Sequence, residues 1–222
     1  MMKFFSRDVL STLFTAILTI CALIVTGLVI RQEFFKNSEK RSNEESIRTV
    51  KNWRQAVEEG NTVGVKSAEL KIAVFYDYQC PFCKRMEETL KRVRVKYPQK
   101  VVVVYRHFPL NEVHSRAREL AVAAECASRQ DMFLTYHETL FTNQSRLEKA
   151  SLDSLANEVG VPDISQFNAC ISQERPLEKV KRDVQVAQRL GVKVTPTLFI
   201  NDKIVSGAIT EAKLRKLIKT QI

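Results

Sequence analysis

Apolar positions along the 222-residue chain fall into runs of distinct period, and each run predicts an element. Val9 to Ile30 carries no charge. As one helix it would be about 33 Å long, enough to span a bilayer core of about 30 Å. Residues 31–61 are polar and charged and read as a stalk, in which Ile47 to Glu59 predicts a short helix carrying Trp53. From Leu70 the pattern sharpens. Ile72-Ala73-Val74-Phe75-Tyr76 and Val101 to Tyr105 are continuous apolar runs, as expected of strands buried on both faces. Between them Phe82, Met86, Leu90, Val93 and Tyr97 recur at helical spacing, and Pro98 ends the helix. Val113, Ala117, Leu120 and Ala124 predict another helix, followed by helical or loop-rich chain to about Gln173. Leu177, Val180, Val184 and Ala187 mark a long helix closed by Gly191. Thr197 to Ile200 and Lys203 to Val205 predict a hairpin around Asn201-Asp202. Leu214, Leu217 and Ile218 mark a last amphipathic helix. Strand, helix, strand implies a parallel pair with a crossover helix; the hairpin adds antiparallel strands. The expected class is α/β, a mixed sheet covered by helices, with strand order left open.

Composition changes this picture little. Hydrophobic residues are 45% and charged residues 27%, which excludes disorder for most of the chain. Five cysteines are too sparse for a disulfide scaffold. The net charge of +10 raises a nucleic-acid reading. No zinc-finger, RNP or basic-zipper pattern accompanies it, and the aromatics sit mostly in apolar runs. A solvated basic surface is the expectation, with Lys91 to Lys96 on the outer side of its helix, and no nucleic-acid partner. Lys3 and Arg7 precede the apolar span, so a cleaved signal peptide is the alternative to an uncleaved anchor. The run is long for a signal, however, and its small-residue stretch Val25-Thr26-Gly27 lies inside it.

The chemistry concentrates in Cys80-Pro81-Phe82-Cys83, between a strand and a helix. Pro81 suits the first helical position and makes Cys80 the N-cap. Unpaired backbone N–H groups and the positive helix end then favour a Cys80 thiolate. Cys80 is expected to attack and Cys83 to resolve. Zinc would need further ligands; no second C-x-x-C follows, and His107, His114 and His137 lie at no metal spacing and read as structural. No metal and no cofactor is expected. Thr195-Pro196-Thr197 opens a strand; beside a C-x-x-C helix it predicts a cis-proline loop whose Thr195 backbone pairs with an extended client.

Phe75-x-Asp77-Tyr78-Gln79-Cys80-Pro81-Phe82-Cys83 resembles the active-site signature of DsbA-like thiol:disulfide oxidoreductases of the thioredoxin superfamily. Tyr105-Arg106-His107-Phe108-Pro109-Leu110 with His114, Ala123-Ala124-Glu125-Cys126-Ala127, Phe167-Asn168-Ala169-Cys170 and Gly191-Val192-x-x-Thr195-Pro196-Thr197 carry the likeness onward. It covers roughly residues 62–222. The resemblance implies a thioredoxin-like fold with a helical insertion over about 108–175, and disulfide exchange with exported proteins. The expected organisation is a short tail over 1–8, a transmembrane anchor over 9–30, a stalk over 31–61 and the DsbA-like domain over 62–222. Pro81, Phe82 and Asp77 are the expected supports of the dithiol, and Thr195 and Pro196 the client contacts. Two positions depart from the family. Val74 stands six positions before Cys80, where many relatives carry an acid, and Asp77 is the nearer candidate proton acceptor. Phe82 replaces the histidine of the strongest oxidases and cannot add positive charge beside Cys80, which predicts a less oxidising couple.

Cys126 and Cys170 leave three readings open: a structural disulfide, two buried thiols or a second redox pair. An even count outside the span suits an oxidising compartment. Positive charges after the span (Arg31, Lys36, Lys40, Arg41 and Arg48) would hold the domain in the cytoplasm, whereas the dithiol chemistry argues for an extracytoplasmic, periplasm-like location. The reading is thus a membrane-anchored enzyme, an oxidase in preference to a reductase or isomerase. Its partners would be exported cysteine-containing clients and a membrane or soluble protein that recycles the dithiol. The alternative is a tethered binding or chaperone domain without turnover.

Overall fold

A computed structural model describes residues 24–28, 30–32 and 47–222. The tail over 1–8 lies outside them, as do residues 9–23 and 29 of the expected anchor and 33–46 of the expected stalk. Residues 24–28 and 30–32 are helical. Among the described residues no helix is long and apolar enough to cross a membrane.

From Ile47 onward a six-stranded sheet organises the chain, in the order β1-β6-β5-β3-β4-β2. Strands β3 (Leu70–Tyr76) and β4 (Val101–His107) are parallel and central, with Ile72 opposite Val103. The crossover between them is helix α2 (Pro81–Lys96). Strand β5 (Thr197–Ile200) runs antiparallel to β3, and β6 (Lys203–Ser206) closes a hairpin with it. Asn201 takes φ 48° in that turn, a conformation Asn tolerates better than most residues.

Residues 47–61, expected to be stalk with a short helix over Ile47 to Glu59, contribute to the sheet and hold a shorter helix. Strand β1 (Ile47–Thr49) pairs antiparallel with β6, placing Ile47 opposite Val205 and Thr49 opposite Lys203. Strand β2 (Asn61–Val63) pairs with β4, and only the five-residue helix α1 (Arg54–Glu58) lies between them. Three-residue edge strands are too short to show a period-two pattern, so no periodicity announces them.

The sheet is buried on both faces, which explains its unbroken apolar runs. Ile72, Val74 and Tyr76 of β3 face one core with Met86, Leu90 and Val93 of α2, together with Leu214 and Ile218 of the last helix, α8 (Glu211–Lys219). Ala73 and Phe75 face the other, with Ala56 of α1 and Ala187 of α7 (Glu174–Arg189). Between β4 and α7 the chain adds α3 (Ala117–Ser128), α4 (Phe133–Thr142), a 3-10 turn (Gln144–Arg146), α5 (Leu152–Glu158) and α6 (Ile164–Ile171). Cys126 of α3 and Cys170 of α6 are joined by a disulfide, Cα–Cα 5.8 Å.

Several residues face other ways than the periodicity implied. Phe82 is 50% exposed, because Cys83 takes the inward place in the first turn of α2. Val113 is exposed in the loop before α3. In the basic stretch, Arg94 turns inward to Glu87, Glu138 and the Tyr105 hydroxyl. Lys91 and Arg92 pair with Glu138 and Glu211.

Candidate functional site

Strand β3 ends at Tyr76, and a three-residue turn delivers Cys80 to the N-cap of α2 with Pro81 in the first helical position. The N–H groups of Cys83 and Lys84 donate back to the Cys80 carbonyl at 3.0 and 3.3 Å. Cys80 and Cys83 are unbonded and buried, so the site is in its dithiol form. Across from it the Thr195–Pro196 peptide is cis. The Cys80 thiol donates to the Thr195 carbonyl at 3.4 Å. The Pro196 carbonyl is held by the Gly207 N–H at 2.7 Å. Cys80, Pro81, Phe82, Cys83, Asp77, Thr195 and Pro196 therefore share one end of the sheet. Cys126 and Cys170 lie in the helical insertion as a separate, buried pair.

The two sulfurs differ sharply. The Cys80 thiol is brought down to about 5, first by the hydrogen bond with the Cys83 side chain. Burial works against this, but the Thr195 side chain and the backbone N–H groups of Cys83 and Phe82 add to the lowering. Cys83 is pushed well above the ordinary thiol range by burial and by the neighbouring Cys80 sulfur. At neutral pH the outer sulfur is thus a thiolate and the inner one a thiol. Thr195 is buried beside the two sulfurs and favours the thiolate at each.

Asp77 is fully enclosed, and its carboxylate is occupied. Oδ1 accepts from the Gln79 N–H at 2.8 Å; Oδ2 accepts from the Leu110 N–H at 2.8 Å and meets His114 Nδ1 at 2.9 Å. A carboxylate with three donors is a clamp on the turn. A second clamp has no local signature in the chain: Gln144, in the 3-10 turn, donates to the carbonyls of Tyr78 and Cys80 at 2.7 and 2.9 Å. Around the dithiol the exposed surface is apolar with a cationic edge. Phe82 is 50% and Val194 47% exposed, and the Arg85 guanidinium lies 4.6 Å from the Phe82 ring centroid.

Among the described residues one group has the composition of a metal site, buried His107, Glu125 and Asp183. Its charges are already balanced. Arg106 Nε lies 2.7 Å from Asp183, Lys179 Nζ lies 3.3 Å from Asp183 and 3.6 Å from Glu125, and Asn61 donates to Glu125 at 2.7 Å. These donors fit a structural ion-pair network better than a cation site. A second buried group, absent from the sequence reading, links Tyr76, Tyr78, His137 and Glu87. The two tyrosine hydroxyls are 3.0 Å apart, Tyr78 meets His137 Nδ1 at 2.9 Å, and His137 Nε2 lies 3.3 Å from Glu87.

A protein-family comparison matches residues 56–220 to the family described as thioredoxin. A periplasmic thioredoxin-like protein from Salmonella enterica serovar Typhimurium superposes with TM-score 0.67 at 24% identity, over 78% of this chain and 98% of that one. The thiol-disulfide exchange protein α-DsbA2 from Wolbachia pipientis gives TM-score 0.69 at 18% identity, over 82% and 97%. In sequence, a Na(+)/H(+) antiporter NhaA 1 from Mycolicibacterium gilvum is 34% identical over 153 residues, 68% of this chain and 25% of that protein. The chain spans about a quarter of the length of the curated relatives it matches, so the transport named in their descriptions belongs to those whole proteins.

Proposed function

The chain belongs to the thioredoxin family, and from that premise we propose that it is a membrane-tethered, extracytoplasmic thiol:disulfide oxidoreductase acting on exported proteins. The observation that carries this reading is the asymmetric dithiol. Cys80 is held as a thiolate at the start of α2, facing a cis Thr195–Pro196 peptide. A client disulfide or thiol meets Cys80 first, because its sulfur is the reactive one. Cys83 then closes the Cys80–Cys83 disulfide and releases the client, or leaves Cys80 when a client thiolate attacks. Pro196, which has no N–H, leaves the Thr195 backbone to pair with an extended client. Phe82 and Val194 supply apolar contact on either side. A fold that stabilises the Cys80 thiolate stabilises the reduced form, which favours donation of the disulfide, the oxidase direction. The uncharged stretch Val9 to Ile30 supports the tether.

The test is a redox titration of the full-length protein against glutathione, with turnover of a cysteine-containing peptide. A potential of about −120 to −180 mV fits a disulfide donor and one near about −270 mV a reductase. Cys80→Ser is expected to abolish exchange. The exposed Phe82 and Val194 also suit a second reading, a tethered binding domain without turnover. That reading takes over if the pair fails to titrate while Cys80→Ser still binds unfolded chains.

A further inference from the structure

Cys83 is the more deeply buried member of the pair, and the backbone of one residue meets both cysteines. The Asp77 N–H donates to Cys83 Sγ at 3.5 Å. The Asp77 carbonyl accepts from the Cys80 N–H at 3.2 Å. The backbone of Asp77 therefore touches both cysteines, and what fixes that backbone is its side chain. Two of the three donors on the carboxylate are backbone groups, Gln79 N–H and Leu110 N–H. The third, His114, is the only side chain among them, and it is 20% exposed. It comes from the loop between β4 and α3. The neighbouring residues of that loop add a parallel tie. The Arg116 N–H donates to Gln79 Oε1 at 2.8 Å, and Ser115 and Gln79 both donate to Glu148.

We propose that His114 is a positioning residue for the inner cysteine: by holding the Asp77 carboxylate it keeps the Asp77 N–H on the Cys83 sulfur. The inference rests on the exchange reading above and adds a residue to it. In the step concerned, a Cys83 thiolate and a client–Cys80 mixed disulfide interconvert with the Cys80–Cys83 disulfide and a client thiolate. One S–S bond forms as one breaks, the electron pair stays among three sulfurs, and the Cys83 proton goes to solvent before attack. The N–H donor favours the Cys83 thiolate in either direction. The groups acting on the Cys83 sulfur are Cys80, the Asp77 N–H and Thr195. Of these, only the Asp77 donor depends on His114.

The experiment compares wild type, His114→Ala and His114→Asn in the full-length protein. Asn carries an amide donor near the place of Nδ1. Two rates are followed with a peptide disulfide: capture by Cys80 and release by Cys83. In His114→Ala, release is expected to slow about tenfold, the effect of one unit in the thiol pKa, so the mixed disulfide accumulates. Capture is expected to hold within about twofold, since the donors on Cys80 are unchanged. His114→Asn is expected to restore release. Equal slowing of both rates, or no change in either, overturns the proposal, as does an Asn variant no better than Ala. A separate readout covers failure of the exchange reading itself. With Cys80→Ala in place, alkylation of Cys83 is followed against pH with and without His114→Ala. An upward shift of the Cys83 profile upholds the positioning role even if wild type exchanges nothing; an unshifted profile rejects it.

Discussion

Cys80 titrates at about 5 where a free thiol has 9.0, so its protonation is coupled to folding of the dithiol form. The folded state prefers the thiolate. Its stabilisation is complete above the unfolded value and is lost as pH falls from 9 towards 5. Cys83, pushed upward, stays a thiol across that window and contributes nothing there. The expected outcome is that the unfolding free energy of the reduced protein climbs between about pH 5.5 and 7.5, while that of Cys80→Ser does not. Denaturant unfolding in reductant at the two pH values checks this; parallel behaviour of the two proteins would show that the thiolate is not favoured by the fold. Single residues were unevenly legible in the sequence. The C-x-x-C string and its proline announce a helix N-cap because local backbone chemistry decides that geometry. The contact between Asp77 and His114, 37 positions apart, depends on how the loop after β4 folds back, and no local pattern encodes it.

At the scale of elements, α2 and β4 meet through buried charge as well as apolar packing. Glu87, one turn beyond Cys83, is bound by Arg94 and Tyr105, and on the opposite core Asp183 of α7 holds Arg106 of β4. Both partners of the second pair are almost completely enclosed, at 0% and 1% side-chain exposure. Removing one leaves a buried charge without compensation, a cost of about 3–5 kcal/mol. Asp183→Ala is therefore expected to lower stability by that amount in urea unfolding; a loss below about 1 kcal/mol would mean that water reaches Arg106 and takes over the role. These charges explain where periodicity misleads. Arg94 sits in a run that reads as solvated because the sequence shows its charge but not its acidic partners. Strands β3 and β4 were legible because both faces are covered and every position is apolar. Strands β1 and β2 were not, because three residues paired at an edge carry no such run.

For the whole molecule, the Cys126–Cys170 bond closes the helical insertion. The bond spans 44 positions, and on the chain-entropy account a loop of that size contributes about 4 kcal/mol. Cys126→Ser is expected to cost most of that in thermal or denaturant unfolding of the oxidised protein. An unchanged midpoint would show that the bond is dispensable. Because both sulfurs are buried, the pair is also expected to resist mild reductant that opens Cys80–Cys83.

The pairing of β1 has a consequence for reach. Ile47 lies level with Val205, which lies level with Leu198 and so with Val74, near the end of β3 that leads into the dithiol turn. Since β1 runs away from that end, the chain enters the domain on the reactive side. Three strand spacings, about 14 Å, separate the entry point from β3. On the tethered reading proposed above, the attachment enters at the working edge of the domain, so the point of entry and the sulfur share one neighbourhood. On that reading, the radius over which Cys80 would meet clients is set by the length of chain before Ile47. Lengthening that stretch would extend the radius, whereas rotating the body of the domain about its entry point would change it little.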